Sequence, residues 1–191
     1  MGRRISFNKE LALNKAMYLF WEKGYDATYI SDLIETMGIS RSTLYDSFGD
    51  KDELFKLVLE HYKNYRYRKR QLLFSGIDTK ASLQSYFYRH IEECYSDDFP
   101  KSCIITNSSL LIGHIDPSIE EILLNDFNEL EKVFKQVIEE GKEKGEISQE
   151  ANPELVAYCL LSLNHSINIM SRYQKEKILA YNLVDKTIAD L

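Results

Sequence analysis

The chain has little from which to build a disulfide or metal framework. Its 191 residues hold three cysteines, Cys94, Cys103 and Cys159, far apart and without C-x-x-C or Cys/His ligand spacing. That excludes a disulfide scaffold and a zinc site and leaves three reduced, mostly buried small hydrophobes. Cys103, set among polar neighbours, is the first position at which a redox-sensing thiol would be sought. No run of eighteen apolar residues exists, so no segment is expected to span a membrane. The start, MGRRISFNKELALNKAM, lacks the apolar core and cleavage site of a signal peptide, and a cytoplasmic chain is expected. No segment alternates as a strand, no repeat is visible, and no glycine-rich loop is shaped to cradle a phosphate. Neither a carboxylate pair nor a Ser/His/Asp set stands out, so no cofactor, metal or catalytic residue is assigned.

Positive charge is also scarce. The net charge of −6 excludes a protein that coats nucleic acid without selectivity. Even residues 1–60 carry eight basic side chains against ten acidic ones. Contact with nucleic acid therefore requires cations gathered on one face, helped by helix N-termini.

What is present is helical periodicity. Ile30, Leu33, Ile34 and Met37 form one apolar stripe of a helix that starts after Thr28, placed as its N-cap, and stops at Gly38. Ile39 plugs the corner and Ser40 caps a second helix, Arg41–Phe48. Leu44 and Phe48 of that helix face inward, with Arg41, Ser42, Thr43, Tyr45 and Asp46 outside. Asp50-x-x-Glu53 has the form of a capping box for a third helix carrying Leu54, Phe55, Val58 and Leu59. Two helices joined by a short glycine-containing turn make a helix-turn-helix, which sets the start of its second helix against base edges in the major groove. The same corner also occurs in all-α domains that touch no nucleic acid.

The run Gly24-Tyr25-x-Ala27-Thr28-x3-Asp32-Leu33-Ile34, Met37-Gly38-Ile39-Ser40-x2-Thr43-Leu44-Tyr45-x2-Phe48-x2-Lys51-x2-Leu54 closely resembles the DNA-binding domain of the TetR family of bacterial transcriptional regulators. The resemblance covers roughly residues 8–60. It implies an all-α chain, with a helix-turn-helix head over 1–60 and a helical ligand-binding and dimerising bundle over 61–191. Arg41, Ser42 and Thr43 are assigned to base-edge contact, since arginine bonds guanine bidentately and hydroxyls bond several bases. Tyr45 and Lys51, carried over from matching family positions, and Thr28 at its helix N-terminus are assigned to phosphates. Arg3 and Arg4 in the leading arm either reach a phosphate or minor groove or are solvated. Asp46 is awkward, because a carboxylate facing DNA is repelled unless a cytosine amine donates to it.

Beyond the head, the third helix is expected to run to about Phe74. Its basic run of Lys63, Arg66, Arg68, Lys69 and Arg70 is read as a solvated face that pairs with the acidic second half. Ser75-Gly76 breaks the chain, a helix follows over 79–96, and Asp97–Pro100 breaks it again. KSCIITNSSLLIGHID is poor in charge and is expected to be buried. Its opening resembles a family subgroup with Gly-Cys at the start of the sixth helix, but Ser102 stands in place of that glycine. Asp116-Pro117 and Asn152-Pro153 each open a long helix, and a last helix covers 175–191. Their apolar faces are wider than one core requires, which suggests a four-helix interface between two chains, or else plain core. Tyr86, His90, Cys103, Asn107, His114, Asn164 and His165 are the polar groups available to line a ligand pocket.

The expectation is a homodimeric, ligand-responsive regulator, most readily a repressor, bound to a palindromic double-stranded operator and released by a small-molecule inducer. Two rivals stand beside it: a small all-α enzyme in which the helix-turn-helix is scaffold, and a helix-turn-helix protein whose second domain takes a protein partner.

Overall fold

A computed structural model describes residues 7–191; Arg3 and Arg4 lie outside the described residues. Helices α1 (Lys9–Lys23), α2 (Ile30–Met37) and α3 (Arg41–Phe48) form the head, and α4 (Lys51–Arg70) leads out of it. The second half holds α5 (Thr79–Tyr95), α6 (Ile104–Ser108), α7 (Pro117–Glu143), α8 (Pro153–Met170) and α9 (Ile178–Ala189). Among the described residues there is no strand. Nor, among those residues, is any helix long and apolar enough to cross a membrane.

The local start and stop signals act largely as their chemistry demands. Ser40 Oγ accepts from the Thr43 amide (3.1 Å), Asp116 Oδ1 from Ser118 (2.9 Å), and Asn152 Oδ1 from Glu154 and Leu155 (3.0 and 3.2 Å). Each satisfies an amide that the helix itself leaves free. Gly38 takes the left-handed conformation (φ 70°, ψ 36°), and its N–H closes back on Ile34 and Glu35. A side chain with a Cβ would be strained there.

Several expectations need correction. Thr28 does not cap α2; the cap position is Tyr29. Thr28 is fully buried and its hydroxyl donates to the Gly24 carbonyl at 2.6 Å. The capping box at Asp50 is half made. Asp50 Oδ1 accepts from Glu53 N (3.0 Å), but the Glu53 carboxylate turns to Lys56 (2.7 Å). The third helix tightens after Arg70 into a 3-10 turn, Gln71–Phe74. The charge-poor stretch is buried at residues 102–106 and 108 only. Beyond them the chain rises to the surface, leaving Leu110 88% exposed and His114 exposed. Cys94 and Cys103 are buried, whereas Cys159 is exposed on α8.

The core falls into two clusters. One cluster joins α1–α4 to Cys103, Ile104 and Ile105 and to Ile119 and Leu123 at the start of α7. The other joins α5, the rest of α7, α8 and α9. The core of the head is therefore not closed by α1–α4 alone; α6 and the first turns of α7 complete it. No break in α4 falls at residue 60.

The basic run of α4 pairs with the acidic second half as expected, through Lys63–Glu129, Arg66–Asp126 and Arg70–Asp126, and Arg68 is exposed, but the run is not solvated throughout. Arg66 and Lys69 are buried. Arg66 Nη1 reaches Asp126 Oδ2 at 3.3 Å, and Arg70 Nη2 reaches the other oxygen at 2.8 Å. Lys69 Nζ lies 2.7 Å from Glu93 and 3.0 Å from His90 Nδ1. Asp126 is only 1% exposed and sits inside the apolar stripe of α7, between Leu123 and Leu130. A charge so deep persists only because two guanidinium groups share it.

Candidate nucleic-acid interface and interior polar cluster

Leu44 and Phe48 anchor α3 in the head core, and this rotation fixes what α3 shows to solvent. Arg41, Ser42, Tyr45 and Asp46 are exposed on its outer face, and Thr43 is half-buried. The Arg41 guanidinium lies 5.9 Å from the Tyr45 ring centroid, so the two present one amphipathic surface. Ser40 Oγ lies 2.9 Å from Ser42 Oγ and 2.8 Å from Thr43 Oγ1, a cluster of three hydroxyls at the helix N-terminus. No acid occupies the first turn of α3. Its positive dipole end is uncompensated and open to an anion.

Lys51 is held at the first turn of α4. Its ammonium lies 4.1 Å over the Tyr25 ring, and partial burial lowers its pKa against the pull of Asp26 and Asp52. The Tyr25 hydroxyl donates to Asp52. Burial first, and that bond second, raises the phenol well above its usual range. Tyr25 is thus a fixed post that carries the Lys51 cation at the surface. Thr28 differs from the rest: its buried hydroxyl is committed to Gly24 and is not presented to a phosphate. Tyr29, 67% exposed beside it at the α2 N-terminus, was not singled out from sequence.

Of the seven residues expected to line a pocket, three converge tightly. The Tyr86 hydroxyl donates to Asn164 Oδ1 (3.0 Å), and His90 Nε2 lies 3.1 Å from the Asn164 carbonyl. Burial, and then the Lys69 charge, holds His90 neutral by pushing its pKa well below the usual value. Neutral His90 therefore accepts from Lys69 at Nδ1 and donates to Asn164 at Nε2. Cys103 lies against this cluster with its sulfur 3.4 Å from Arg66 Nη1. His165 Nδ1 meets Thr106 Oγ1 at 2.9 Å, while its buried Nε2 has no partner among the described residues. Burial, and next Arg66, lowers the His165 pKa to about 4. Asn107 faces outward, 3.5 Å from Arg172. His114 stands apart, exposed in the turn after α6, and does not join the others.

Sequence reasoning missed the middle of this cluster: Arg66, Lys69, Glu93, Asp126 and Asn168. The signal was an acid at Asp126 within an otherwise apolar stripe, facing Arg66 and Arg70, four apart on α4.

An open helix-turn-helix face on a bundle of helices is the arrangement of a DNA-reading head. The comparisons agree. Residues 12–58 match the family described as bacterial regulatory proteins, tetR family, and residues 80–183 match the Tetracyclin repressor-like C-terminal domain. The HTH-type transcriptional repressor ComR of Escherichia coli is 30% identical over 174 residues, 90% of this chain and 82% of ComR. The uncharacterised HTH-type regulator YezE of Bacillus subtilis is 27% identical over 100% of this chain and 92% of its own length. A cysteine mutant of the regulator CifR, solved on a 26-base-pair double-strand operator, superposes with a TM-score of 0.91 at 22% identity. That match covers 98% of each chain, and it shows the fold. The chain belongs to the TetR family and is a DNA-binding transcriptional regulator.

Proposed function

We propose that the protein is a homodimeric, ligand-responsive repressor of a palindromic operator. Residues 1–60 would act as the reading head and 61–191 as the ligand-binding and dimerising part. The observation that carries this reading is the outer face of α3, where Arg41, Ser42, Tyr45 and Asp46 stand exposed over a buried Leu44–Phe48 anchor. Arg41 is the base reader, with Ser42 and Thr43 supplementing it, and Tyr45 and Lys51 hold phosphates.

Support for the dimer comes from α8 and α9. Leu155 and Tyr158 are each 61% exposed, and Ile169, Ile178, Leu179 and Leu183 are between 45% and 54% exposed. Two such helices from each chain make a four-helix contact, placing the heads ~34 Å apart on successive major grooves. Release by a ligand follows from α4, which belongs to both halves. A molecule that prefers α4 displaced from α7 would change head spacing, and a few kcal/mol of preference suffices.

The test is selection of bound sequences from random duplex DNA, followed by a salt titration on the enriched site. An enriched inverted repeat whose affinity falls steeply with salt is the expected result. Enrichment of a single half-site, or of nothing after the protein has been unfolded and refolded free of ligand, would overturn it.

A further inference from the structure

Between the head and the second half lies a small chamber lined by Trp21, Tyr62, Arg66, Phe99, Ser102 and Cys103, with a volume of about 20 Å³. It adjoins a groove of about 640 Å³ between α4 and α5; Tyr65, Arg66, Lys69 and Glu93 line both. We propose that groove and chamber together form the effector site, and that the effector is a small organic carboxylate with a flat, apolar body. This rests on the ligand-responsive reading above and names the class of ligand.

Three independent features point to that class. The first is charge. The charged walls of the groove are Arg66, Arg68, Lys69, Arg89 and Glu93. Glu93 is shared by Lys69 and Arg89 (2.7 and 2.9 Å) and Arg66 is paired with Asp126, so the wall stays net positive, with Arg68 unpaired among the described residues, in a chain whose net charge is −6. A cleft with an excess of one sign concentrates counter-ions at its mouth. The second is the set of donors left over. Ser102 is 3% exposed, yet its hydroxyl has no hydrogen-bond partner among the described residues. It is held there by a left-handed backbone (φ 73°), a conformation costly for serine. Among the described residues, Arg66 donates only to Asp126 and to the weak acceptor sulfur of Cys103. Most of its five N–H groups are therefore uncommitted. A carboxylate accepts from both groups. The third is shape. Tyr65, 39% exposed, lines both chamber and groove, with Leu72 beside it in the groove, and is backed by Tyr62 (centroids 6.1 Å apart, planes 23° apart) and Phe99 (6.1 Å). Such walls suit a planar apolar body.

The chamber has room for about one water-sized group. Seating a carboxylate head requires Ser102 and Arg66 to move apart. The Ser102 carbonyl is the acceptor for Trp21 Nε1 at 3.1 Å, a buried bond from the head to the loop before α6. Filling the chamber therefore pulls on the head.

Trp21 is the chain's one tryptophan, so its emission reports on the chamber. The experiment titrates full-length protein with benzoate and phenylacetate, using benzyl alcohol as the uncharged match, and then repeats the titration on operator-bound protein. Saturable change with an acid, and none with the alcohol, is expected. Arg68→Gln together with Arg89→Gln, both at exposed positions, should weaken the acid roughly three- to tenfold. Ser102→Gly, which removes the hydroxyl while relieving the backbone, should weaken it as well. Equal binding of the alcohol, wild-type affinity in both variants, or saturation by neither acid overturns the site. Saturation without operator release keeps the site and overturns the ligand-response reading. Operator release with Trp21 emission unmoved does the reverse.

Discussion

The outer face of α3 and the interior junction of α4 with α7 both carry arginine, and they hold it in opposite ways. Arg41 lies in solvent beside Tyr45, with no acid paired to it. Arg66 is 5% exposed and shares the buried Asp126 with Arg70. An exposed cation costs the fold nothing and is available to a partner. A buried one is part of the fold, since removing its counter-charge strands it in a medium that solvates it poorly. The helix-turn-helix surface can therefore vary without unfolding the chain, while the junction cannot.

That contrast is sharpest at Asp126. Asp126→Ala should cost about 3–5 kcal/mol of unfolding free energy, because Arg66 loses its carboxylate and Arg70 loses its nearest one. Denaturant titration measures it; a cost below 1 kcal/mol would mean that the pair is not buried in solution. Arg41→Ala is the mirror case. It should weaken operator binding by about 1–3 kcal/mol, roughly six- to 150-fold, and relax preference at one base pair. Its unfolding free energy should stay within about 0.5 kcal/mol of the parent.

Acid separates the two regions further. His165 and His90 titrate below the usual histidine range when folded, so the unfolded chain binds protons first as pH falls. Stability from these groups is full above about pH 6.5 and is lost on acidification, by up to about 1.4 kcal/mol per pH unit for each histidine. For His165 the loss is complete near pH 4. Replacing His165 with a residue that does not titrate, as in His165→Gln, should flatten this slope; an unchanged slope would assign it elsewhere. The smallest expected effect is at Ser102. Ser102→Gly relieves the left-handed backbone and should raise stability by about 1 kcal/mol, a shift of roughly 2–4 °C in Tm. A fall in Tm would show that the serine hydroxyl is bonded.

The same contrast explains what could be read from the residues alone. Ser40, Gly38, Pro117 and Asn152 act on amides within a turn of themselves, so their effect is local and legible. The outward face of α3 follows from where Leu44 and Phe48 fall on the helix. Thr28 was misread because Tyr29, one residue on, takes the cap position and leaves the threonine facing inward. The basic run of α4 was read correctly as pairing with the acidic second half, but the burial of Arg66 and Lys69 within it was missed for a different reason. Burial of Arg66 depends on Asp126, sixty residues away, and no periodicity within α4 reveals that partner. His114 looked like a pocket residue because its neighbours are apolar, but the chain turns to the surface just before it.

The central claim is that the two regions are mechanically one, because α4, α6 and the start of α7 share the core of the head. Amide hydrogen exchange with and without operator tests it most directly. The account predicts slowed exchange over residues 40–48 and, in the same complex, altered exchange at residues 102–108, where the Trp21 bond lands. Changes confined to residues 40–53 would contradict it, leaving a reading head that engages DNA without informing the rest of the chain.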